Sequence, residues 1–539
     1  MARSRPTYDS IKDEESETLL DAKVPTRRKK RRGVLIILLS TVIAATIFIL
    51  AKSWAKLSTA GPKKNVILMI SDGFGPASET YARSYYQYVN KLPYNYTTPL
   101  DEILVGTSRT RSSSSLVTDS AAGATAFACA LKSYNAAIAV DPSKVACGTV
   151  LEAAKSIGYT TGLVVTSRIT HATPACFSAH VVHRDLEDII ARHQIGDYVL
   201  GRQVDILLGG GRCFFLPQNV AGSCRQDDVD VLEMADNNGF SYIQSRKDFD
   251  KLKPKQKLPL LGLFTLDHMS YEIDRDSKLE PSLAEMTAKT LQMLTHATGN
   301  NDKGFFLMVE GSRIDMAAHS NDPASHVHDI LAYHETIKVV KDYVKSHPGT
   351  IMISVSDHET GGLSLARQNS EDYPMYRWLP EVIKRVKKSA YILSTELLAY
   401  EGRDKERFIR EKILFGGLGI ENPTEEEIKW LMENNDQLAI EFYLGTMVSK
   451  RAEIGWATHG HSGLDVNLYA YGAGTESLRG NVENTNIGDF ISQYLGLNLK
   501  KITNQLSKNN ASFHMVDEET LNRLTANNLM HYHHQHHHH

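Results

Sequence analysis

Short apolar runs rich in valine, isoleucine and leucine recur along the chain, and polar residues or glycines follow most of them. Runs of five or six residues with this composition are typical of buried strands. Helical candidates alternate with them, at Gly148–Ser156, Ser282–Leu294 and His328–Val344. The apolar runs are Val66–Ile70, Gly162–Thr166, Val204–Leu208, Phe305–Val309, Ile351–Val355 and Val466–Tyr471. This alternation predicts an α/β fold with a large, mostly parallel central sheet and helices on both faces.

Acidic and imidazole side chains stand where several predicted strands end. Asp72, Glu310, Asp357 and His358 each come just after an apolar run. In parallel α/β sheets, ligands bind beyond the carboxyl ends of the strands. Because these positions are spread over much of the chain, one shared site requires one large domain, predicted over 65–515.

Two stretches of the chain have a different composition from the predicted strands and helices around them. Residues 368–450 are charged and helical in pattern, and Thr424 with Glu427 forms a capping-box sequence. We predict an accessory insertion there. Residues 516–539 are predicted to be a polar tail with a histidine-rich end, which we exclude from fold and site assignments.

Gly33–Ala51 is a stretch of nineteen residues without a charge. As a helix it would be roughly 28 Å long, close to the thickness of bilayer hydrocarbon. A cleavable signal peptide is the competing interpretation, but the apolar stretch is long for one and follows many polar residues. Lysines and arginines are more numerous before it than after it, which predicts a cytosolic N-terminus. We therefore expect a single-pass type II transmembrane helix, a disordered cytosolic tail at 1–32, a luminal stalk at 52–64 and a luminal catalytic domain.

The cytosolic tail contains Glu15–Leu20, which resembles the acidic dileucine signals that sorting adaptors recognise on proteins bound for lysosomes or vacuoles. A chance Leu-Leu pair is the alternative. Asn95 and Asn510 each begin a glycosylation sequon, as a luminal face allows. The sequence thus predicts a vacuolar, lysosome-like membrane as the location.

Charge and cysteine content exclude some functions and leave others open. The net charge of −3 argues against a broad nucleic-acid-binding surface. Of the five cysteines, Cys213 and Cys224 are close enough in sequence to be the disulfide candidate in an oxidising lumen. The pairing of Cys129, Cys147 and Cys176 stays open.

The stretch Val117–Ala126 places an acid and a hydroxyl, Asp119 and Ser120, before a run of small residues. Such residues are typical helix caps. Ser120 could also be a nucleophile, although no histidine lies nearby in sequence to act as its base. A bound metal ion would remove that need by lowering the pKa of the hydroxyl.

Histidines and carboxylates occur in pairs with spacings suited to metal binding. Asp315 and His319 share one face of a predicted helix, and His459 and His461 precede a predicted strand. Each pair alone is weak evidence. Together with the groups at the strand ends they form a pool of imidazole and carboxylate ligands suited to zinc and magnesium. Two neighbouring metals can clamp both oxygens of a phosphoryl transfer.

Six stretches of the chain share one family's motifs in the same order: Val66–Gly73, Val117–Ala122, His171–Arg184, Val309–His319, Ser356–Gly362 and His461–Gly463. These stretches, which extend over roughly 66–472, resemble the alkaline phosphatase family. The membrane anchor and tail signal resemble those of its fungal vacuolar members.

The resemblance implies a metal-dependent phosphate-monoester hydrolase of broad specificity. It acts through a phosphoserine at Ser120, uses two zinc ions and one magnesium ion per chain, and forms a homodimer. Arg184 would hold two phosphate oxygens as a planar fork, and Asp119 would orient Arg184. The implied metal ligands are Asp315, His319 and His461 for the first zinc; Asp72, Asp357 and His358 for the second; and Asp72, Thr173 and Glu310 for magnesium. His461 fits the family pattern better than His459.

Two positions at the implied magnesium site depart from the family's patterns. His171 follows the vertebrate form rather than the bacterial one, and Met316 follows neither. We expect His171 to act through a bridging water. His326 and His328 are interpreted as solvated helix residues.

Two other classes of function are alternatives to this hydrolase. A sulfatase or a phosphodiesterase could use the same scaffold, but the sulfatase sequence Cys-x-Pro-x-Arg is absent. The other class is a membrane protein that binds metal or phosphate without catalysis, against which the nearly complete ligand set argues.

Overall fold

The computed structural model describes residues 38–48, 63–299, 302–373 and 375–508. They fall into two units, a helix at 38–48 and a larger unit that contains the other described residues. The helix lies within the predicted membrane segment Gly33–Ala51. In the described part of the chain, no helix is long and apolar enough to cross a membrane. The remaining predictions for the N-terminal segments, Asn510 and the tail at 516–539 concern residues outside the described ranges.

The larger unit is built on a ten-stranded sheet in the order β12-β2-β11-β8-β1-β7-β3-β4-β6-β5, and a separate pair joins β9 to β10. Within the ten strands only β11 runs antiparallel to its neighbours. The mostly parallel sheet is therefore confirmed, and each of the six predicted strands is present. The strands are β1 (Asn65–Ser71), β2 (Leu104–Arg109), β3 (Thr160–Arg168), β4 (Ile206–Gly210), β5 (Ser241–Ile243), β6 (Leu260–Leu263), β7 (Phe305–Gly311), β8 (Thr350–Val355), β9 (Glu359–Thr360), β10 (His461–Ser462), β11 (Val466–Tyr471) and β12 (Gly480–Glu483).

The helices of the larger unit connect and cover the strands. Three of them begin with a capping box, including the predicted one at Thr424 and Glu427. A π-helix at Ile409–Gly417 continues α13. The α-helices are α1 (Pro76–Asn90), α2 (Ser120–Cys129), α3 (Val150–Ser156), α4 (Ala172–Ser178), α5 (Glu187–Gln194), α6 (Val231–Asn237), α7 (Arg246–Lys251), α8 (Leu283–Thr298), α9 (Arg313–His319), α10 (Pro323–Ser346), α11 (Pro380–Arg385), α12 (Ala390–Leu398), α13 (Lys405–Phe408), α14 (Glu425–Glu433), α15 (Gln437–Ala452), α16 (Thr485–Leu495) and α17 (Leu499–Lys508).

Strand β1 shows why the predicted strands are apolar throughout. Its side chains point alternately to the two faces of the sheet. Ile67 and Met69 belong to the hydrophobic cluster that includes α8 and α10, whereas Leu68 and Ile70 belong to the cluster on the opposite face, with α2 and α4. Both faces are buried, so a polar residue has no solvated side to occupy within the strand.

The segment predicted as an accessory insertion packs on one face of this sheet. Leu393 on α12 and Leu444 on α15 lie in the same hydrophobic cluster as Ile67 of β1. Glu441 on α15 is buried and accepts a hydrogen bond from the hydroxyl of Ser320, the residue after α9. The segment therefore supports the helix that carries Asp315 and His319.

Two disulfides join neighbouring segments of the larger unit. One links Cys213 to Cys224, the pair that the sequence suggested. The other links Cys129, the last residue of α2, to Cys147. Cys176 is a buried free thiol.

The contact between Glu441 of α15 and Ser320 should depend on pH. Burial raises the pKa of Glu441 to about 7, whereas an unfolded glutamate has a pKa of about 4.3. Between these two pKa values the carboxyl group of Glu441 is protonated in the folded protein but ionised in the unfolded chain. The free energy of unfolding therefore falls as the pH rises from about 4.3 through about 7. We expect Glu441→Gln to gain stability relative to the parent protein by roughly 2–3 kcal/mol between pH 5 and pH 8.5, measured by urea unfolding. Glu433→Gln, exposed at the end of α14, is the control, and parallel curves for Glu441→Gln and the parent would contradict the prediction.

Candidate active site

Four adjacent strands at the middle of the sheet, β8, β1, β7 and β3, bring the predicted ligands to one edge. All four strands are parallel, so their carboxyl ends meet there. The side chains that they deliver are Asp357 and His358 after β8, Asp72 after β1, Glu310 within the end of β7, and His171 and Thr173 after β3.

A second set of ligands comes from α9 and the short strand β10. Atoms of Asp315, His319 and His461 lie within 4.8 Å of one another. His319 Nε2 lies 3.2 Å from Asp315 Oδ2 and 3.1 Å from His461 Nε2. His459 does not join them, because its Nδ1 faces the His319 carbonyl at 2.7 Å and its ring stacks on Phe442.

Three imidazole rings of the site, those of His319, His461 and His358, are each held by a contact at Nδ1. His319 Nδ1 donates to the carbonyl oxygen of His459 at 2.6 Å, and His461 Nδ1 donates to that of Thr118 at 2.8 Å. His358 Nδ1 lies 3.2 Å from the hydroxyl of Thr360. Fixing the proton on Nδ1 leaves Nε2 of each ring as the atom available for a metal ion.

His358 joins this group to the ligands at the strand ends. Its Nε2 lies 3.5 Å from Asp72 Oδ1 and 3.4 Å from Asp357 Oδ2. Atoms of Asp72, Asp315 and His358 lie within 4.8 Å of one another. The arrangement therefore places two groups of imidazole and carboxylate ligands side by side.

A third group contains Asp72, Glu310 and His171, whose nearest ligand atoms also lie within 4.8 Å of one another. Glu310 Oε2 accepts a hydrogen bond from Ser312 Oγ at 2.7 Å. The distance of His171 from Asp72 and Glu310 is compatible with direct binding of a shared metal ion or with a bridging water, so its role stays a prediction. Met316 is buried, and its sulfur lies 2.9 Å from the guanidinium of Arg313.

The carboxyl groups of the centre are buried next to one another, which changes their pKa values. Burial and repulsion from Asp357 raise the pKa of Asp72 well above its usual value. Burial raises the pKa of Asp357 to about 7 and that of Glu310 to about 8. Burial also lowers the pKa of His461 to about 4, so that this ring is neutral at pH 7. Ionised carboxylates in such a place need a nearby cation.

The pattern of hydrogen bonds tests whether metal ions fit. Buried polar atoms in proteins normally have a hydrogen-bond partner, but several oxygens of the centre have none: Asp72 Oδ1 and Oδ2, Thr173 Oγ1, Glu310 Oε1 and Asp357 Oδ2. Carboxylate and hydroxyl oxygens suit magnesium, and mixed imidazole and carboxylate sets suit zinc. The side chains present therefore fit divalent metal ions.

Ser120 lies at the first position of α2, beside these ligands. Asp119 caps the helix by accepting from the backbone N–H of Ala122 at 2.9 Å. The Ser120 hydroxyl is buried and lies 3.1 Å from His358 Nε2. The serine is thus both a helix-start residue and a neighbour of the candidate metal ligand His358.

Arg184 approaches the same place from the segment before α5. Its Nη1 donates to Asp119 Oδ2 at 3.2 Å, and its Nη2 donates to His171 Nε2 at 3.0 Å. The carboxylate of Asp119 also accepts from the backbone N–H of Ala136. Asp119 therefore fixes both the start of α2 and the guanidinium of Arg184.

The structure adds Thr360 to the site and corrects the prediction for His326. The hydroxyl of Thr360 donates to Asp315 Oδ1 at 2.5 Å and also contacts His358, which lies two residues before it. Its place inside the Ser356–Gly362 stretch is the signal that could have found it. The interpretation of His326 as solvated is wrong: the ring is fully buried and contacts the Ile314 carbonyl and the Ser78 hydroxyl.

The sheet and the site together define the class of protein: an α/β enzyme whose centre fits divalent metal ions. A family model for alkaline phosphatase matches residues 63–497. The chain therefore belongs to the alkaline phosphatase family, and it is a phosphate-monoester hydrolase.

Similar proteins cover most of the chain. The repressible alkaline phosphatase of Saccharomyces cerevisiae is 47% identical over 506 residues, 89% of each chain. The cold-active alkaline phosphatase of a psychrophilic Shewanella species has a similar crystal structure, with a TM-score of 0.68 and 31% identity over 80% of this chain and 99% of that one. A variant of the enzyme from the Antarctic bacterium TAB5, with magnesium in its M3 site, has a TM-score of 0.57 and 27% identity over 82% of this chain and 100% of that one.

A substitution at Gly123 tests how closely α2 must approach Asp357. A Cβ atom at Gly123 would lie 2.9 Å from Asp357 Cβ, which is closer than real Cβ contacts. Alanine is favoured over glycine in helix interiors by about 1 kcal/mol, so a loss of function could not come from helix propensity. We expect Gly123→Ala to remain folded and to lose at least about ten-fold in kcat/KM on an aryl phosphate, because a small displacement at a catalytic site is costly. Gly416→Ala, in the π-helix, is the matched control; equal kinetics for both variants would refute the prediction.

Proposed function

We propose that the chain hydrolyses phosphate monoesters of broad specificity through a phosphoserine at Ser120, with two zinc ions and one magnesium ion per chain. The observation that carries the proposal is the convergence of three imidazole Nε2 atoms and several unpartnered carboxylate oxygens beside the Ser120 hydroxyl. The family resemblance supports the same assignment.

The three ligand groups correspond to three proposed metal positions. When bound, the ions would supply positive charge to the phosphoryl group and lower the pKa of the serine hydroxyl. The family resemblance assigns Asp315, His319 and His461 to the first zinc; His358, Asp357 and Asp72 to the second; and Asp72, Glu310 and Thr173 to magnesium. Asp357 is included because its Oδ2 lies 3.4 Å from His358 Nε2, and Thr173 because its buried hydroxyl is unpartnered. We keep the proposal that His171 acts on this last position through water; its Nε2 accepts from Arg184, and its Nδ1 is the nitrogen that could face the water.

Ser120 is proposed to attack phosphorus directly. As the bond from Ser120 Oγ to phosphorus forms, the ester oxygen leaves with a proton taken up from water, and the serine proton passes to solvent. Water then attacks the phosphoserine, which releases inorganic phosphate and restores the hydroxyl. The first turn of α2 helps because its backbone N–H groups favour a bound anion.

Arg184 is proposed to hold the transferred phosphoryl group. Its guanidinium is oriented by Asp119 and can offer two parallel donors to phosphate oxygens. The side chain of Arg184 is only 10% exposed, and the exclusion of water strengthens its attraction to a phosphate group. These residues grip the phosphoryl group and not a particular alcohol, which supports broad specificity.

The setting of the enzyme is also a proposal. We propose a type II anchor at Gly33–Ala51, sorting to a vacuolar membrane through an adaptor bound at Glu15–Leu20, and a homodimer. Asn95 lies in an exposed turn and is proposed as a glycosylation site, as is Asn510.

Removal of metal tests the proposal most directly. We expect the full-length protein to hydrolyse an aryl phosphate monoester much faster than the matching diester, and to lose nearly all activity after chelation. Zinc and magnesium together should restore it, because the site then regains its positive charge. Unchanged activity in protein shown to be free of metal would rule out the metal-dependent mechanism.

Ser120→Ala tests the covalent step. We expect acid-quenched reactions with ³²P-labelled monoester to leave label on the parent protein but none on the variant, because only the Ser120 oxygen can form the phosphoserine. Thr118→Ser, which keeps the hydroxyl two residues away, is the control and should be labelled normally. Labelling of Ser120→Ala at the level of the parent would remove Ser120 from its proposed role.

A further inference from the structure

Glu359 and Ser462 lie opposite each other in the two-residue strands β9 and β10, next to His358 and His461. β9 and β10 pair antiparallel, with Ser462 opposite Glu359 and His461 opposite Thr360. The Ser462 hydroxyl donates to Glu359 Oε2. Each member of the pair directly follows a histidine of the centre, Glu359 after His358 and Ser462 after His461. Their hydrogen bond therefore links the two segments that supply those rings.

The carboxylate of Glu359 has an unusual set of partners for a buried acid. The side chain is 1% exposed, and among the described residues no lysine, arginine or histidine forms an ion pair with it. Instead Oε2 accepts from the backbone N–H of Gly362 at 3.2 Å, and Oε1 accepts from that of Leu363 at 3.1 Å. Two backbone N–H groups and the Ser462 hydroxyl thus hold the carboxyl group in one orientation.

The stem of Glu359 reaches a third segment of the site. A Cβ atom at Gly75 would overlap Glu359 Cγ. Gly75 lies in the turn between Asp72 and α1, so the glutamate stem packs directly against the segment that carries Asp72. Glu359 therefore contacts the segments of Asp72, His358 and His461, without facing the ligand groups itself.

We propose that Glu359 and Ser462 are positioning residues that fix the separation between the two zinc positions. This inference rests on the proposed metal mechanism, in which His461 serves one zinc and His358 the other. A two-metal centre acts on both the attacking and the leaving oxygen only if its ions lie a few ångströms apart. Groups that orient metal ligands commonly change metal affinity or activity by about 10- to 100-fold when they are removed.

The test measures zinc binding to the full-length protein, without substrate, by competition with a chromophoric chelator. We expect Ser462→Ala and Glu359→Gln each to weaken zinc binding by at least about ten-fold. The double variant should bind zinc little more weakly than Glu359→Gln alone, because that change already disturbs the contact with Ser462. Ser462→Thr keeps the hydroxyl and should bind zinc like the parent.

Glu79→Gln is the matched control for the loss of a buried carboxylate. Glu79 is 2% exposed and accepts hydrogen bonds from the Thr98 hydroxyl and from His334, away from the ligand groups. It should lower thermal stability without changing zinc affinity. Parent-like zinc affinity in both Ser462→Ala and Glu359→Gln would overturn the proposal, and so would an equal loss in Glu79→Gln.

Kinetics separate this inference from the proposed function. In Ser462→Ala saturated with zinc, kcat on an aryl phosphate should fall more than KM changes, since the separation of the ions affects the transition state more than the ground state. If the parent protein binds zinc but hydrolyses no monoester, the proposed function fails while the affinity test still decides the role of the pair. If the parent is active and the variants bind zinc normally, only the pair loses its role.

Discussion

The donation of each imidazole Nδ1 to an oxygen is the interaction on which the rest of the site depends. His319 and His461 donate to backbone carbonyls, and His358 faces the hydroxyl of Thr360. Each such bond fixes which nitrogen remains free and where it points. The bond from His461 to the Thr118 carbonyl does more, because Thr118 lies two residues before Ser120. It ties a proposed metal ligand to the segment that begins the helix of Ser120.

The sheet supplies the other half of this geometry. The carboxyl ends of four parallel central strands lie at one edge of the sheet. The residues that end or directly follow these strands are therefore close together. Two glycines then allow neighbouring segments to approach these residues closely. Gly73, with a positive φ, lies against Asp315, and Gly123 of α2 lies against Asp357. Any larger side chain at either position would separate segments that must lie in contact for the ligand groups to converge.

The sequence predicted the strands that are buried on both faces, because continuous apolar runs are a strong signal. It also predicted the acidic and imidazole side chains at their ends, which the structure brings together. It did not predict β2, β5, β6 or β12. β2 and β12 lie at or near one edge of the sheet and carry partly exposed or polar residues, and β5 and β6 have only three and four residues. The error at His326 has a similar cause. Its place in a polar stretch suggested solvent, but α10 packs that face against α1 and α9.

The stretch from Asp357 to Gly362 shows why a ligand motif is longer than its ligands. Asp357 and His358 face the centre, and Thr360 connects Asp315 to His358 through its hydroxyl. The two glycines that follow both have positive φ values, a conformation that side chains other than glycine's rarely adopt. That turn brings the N–H groups of Gly362 and Leu363 back to the carboxylate of Glu359. A substitution at a glycine of this turn would therefore act on the proposed metal ligands through Glu359 and Thr360.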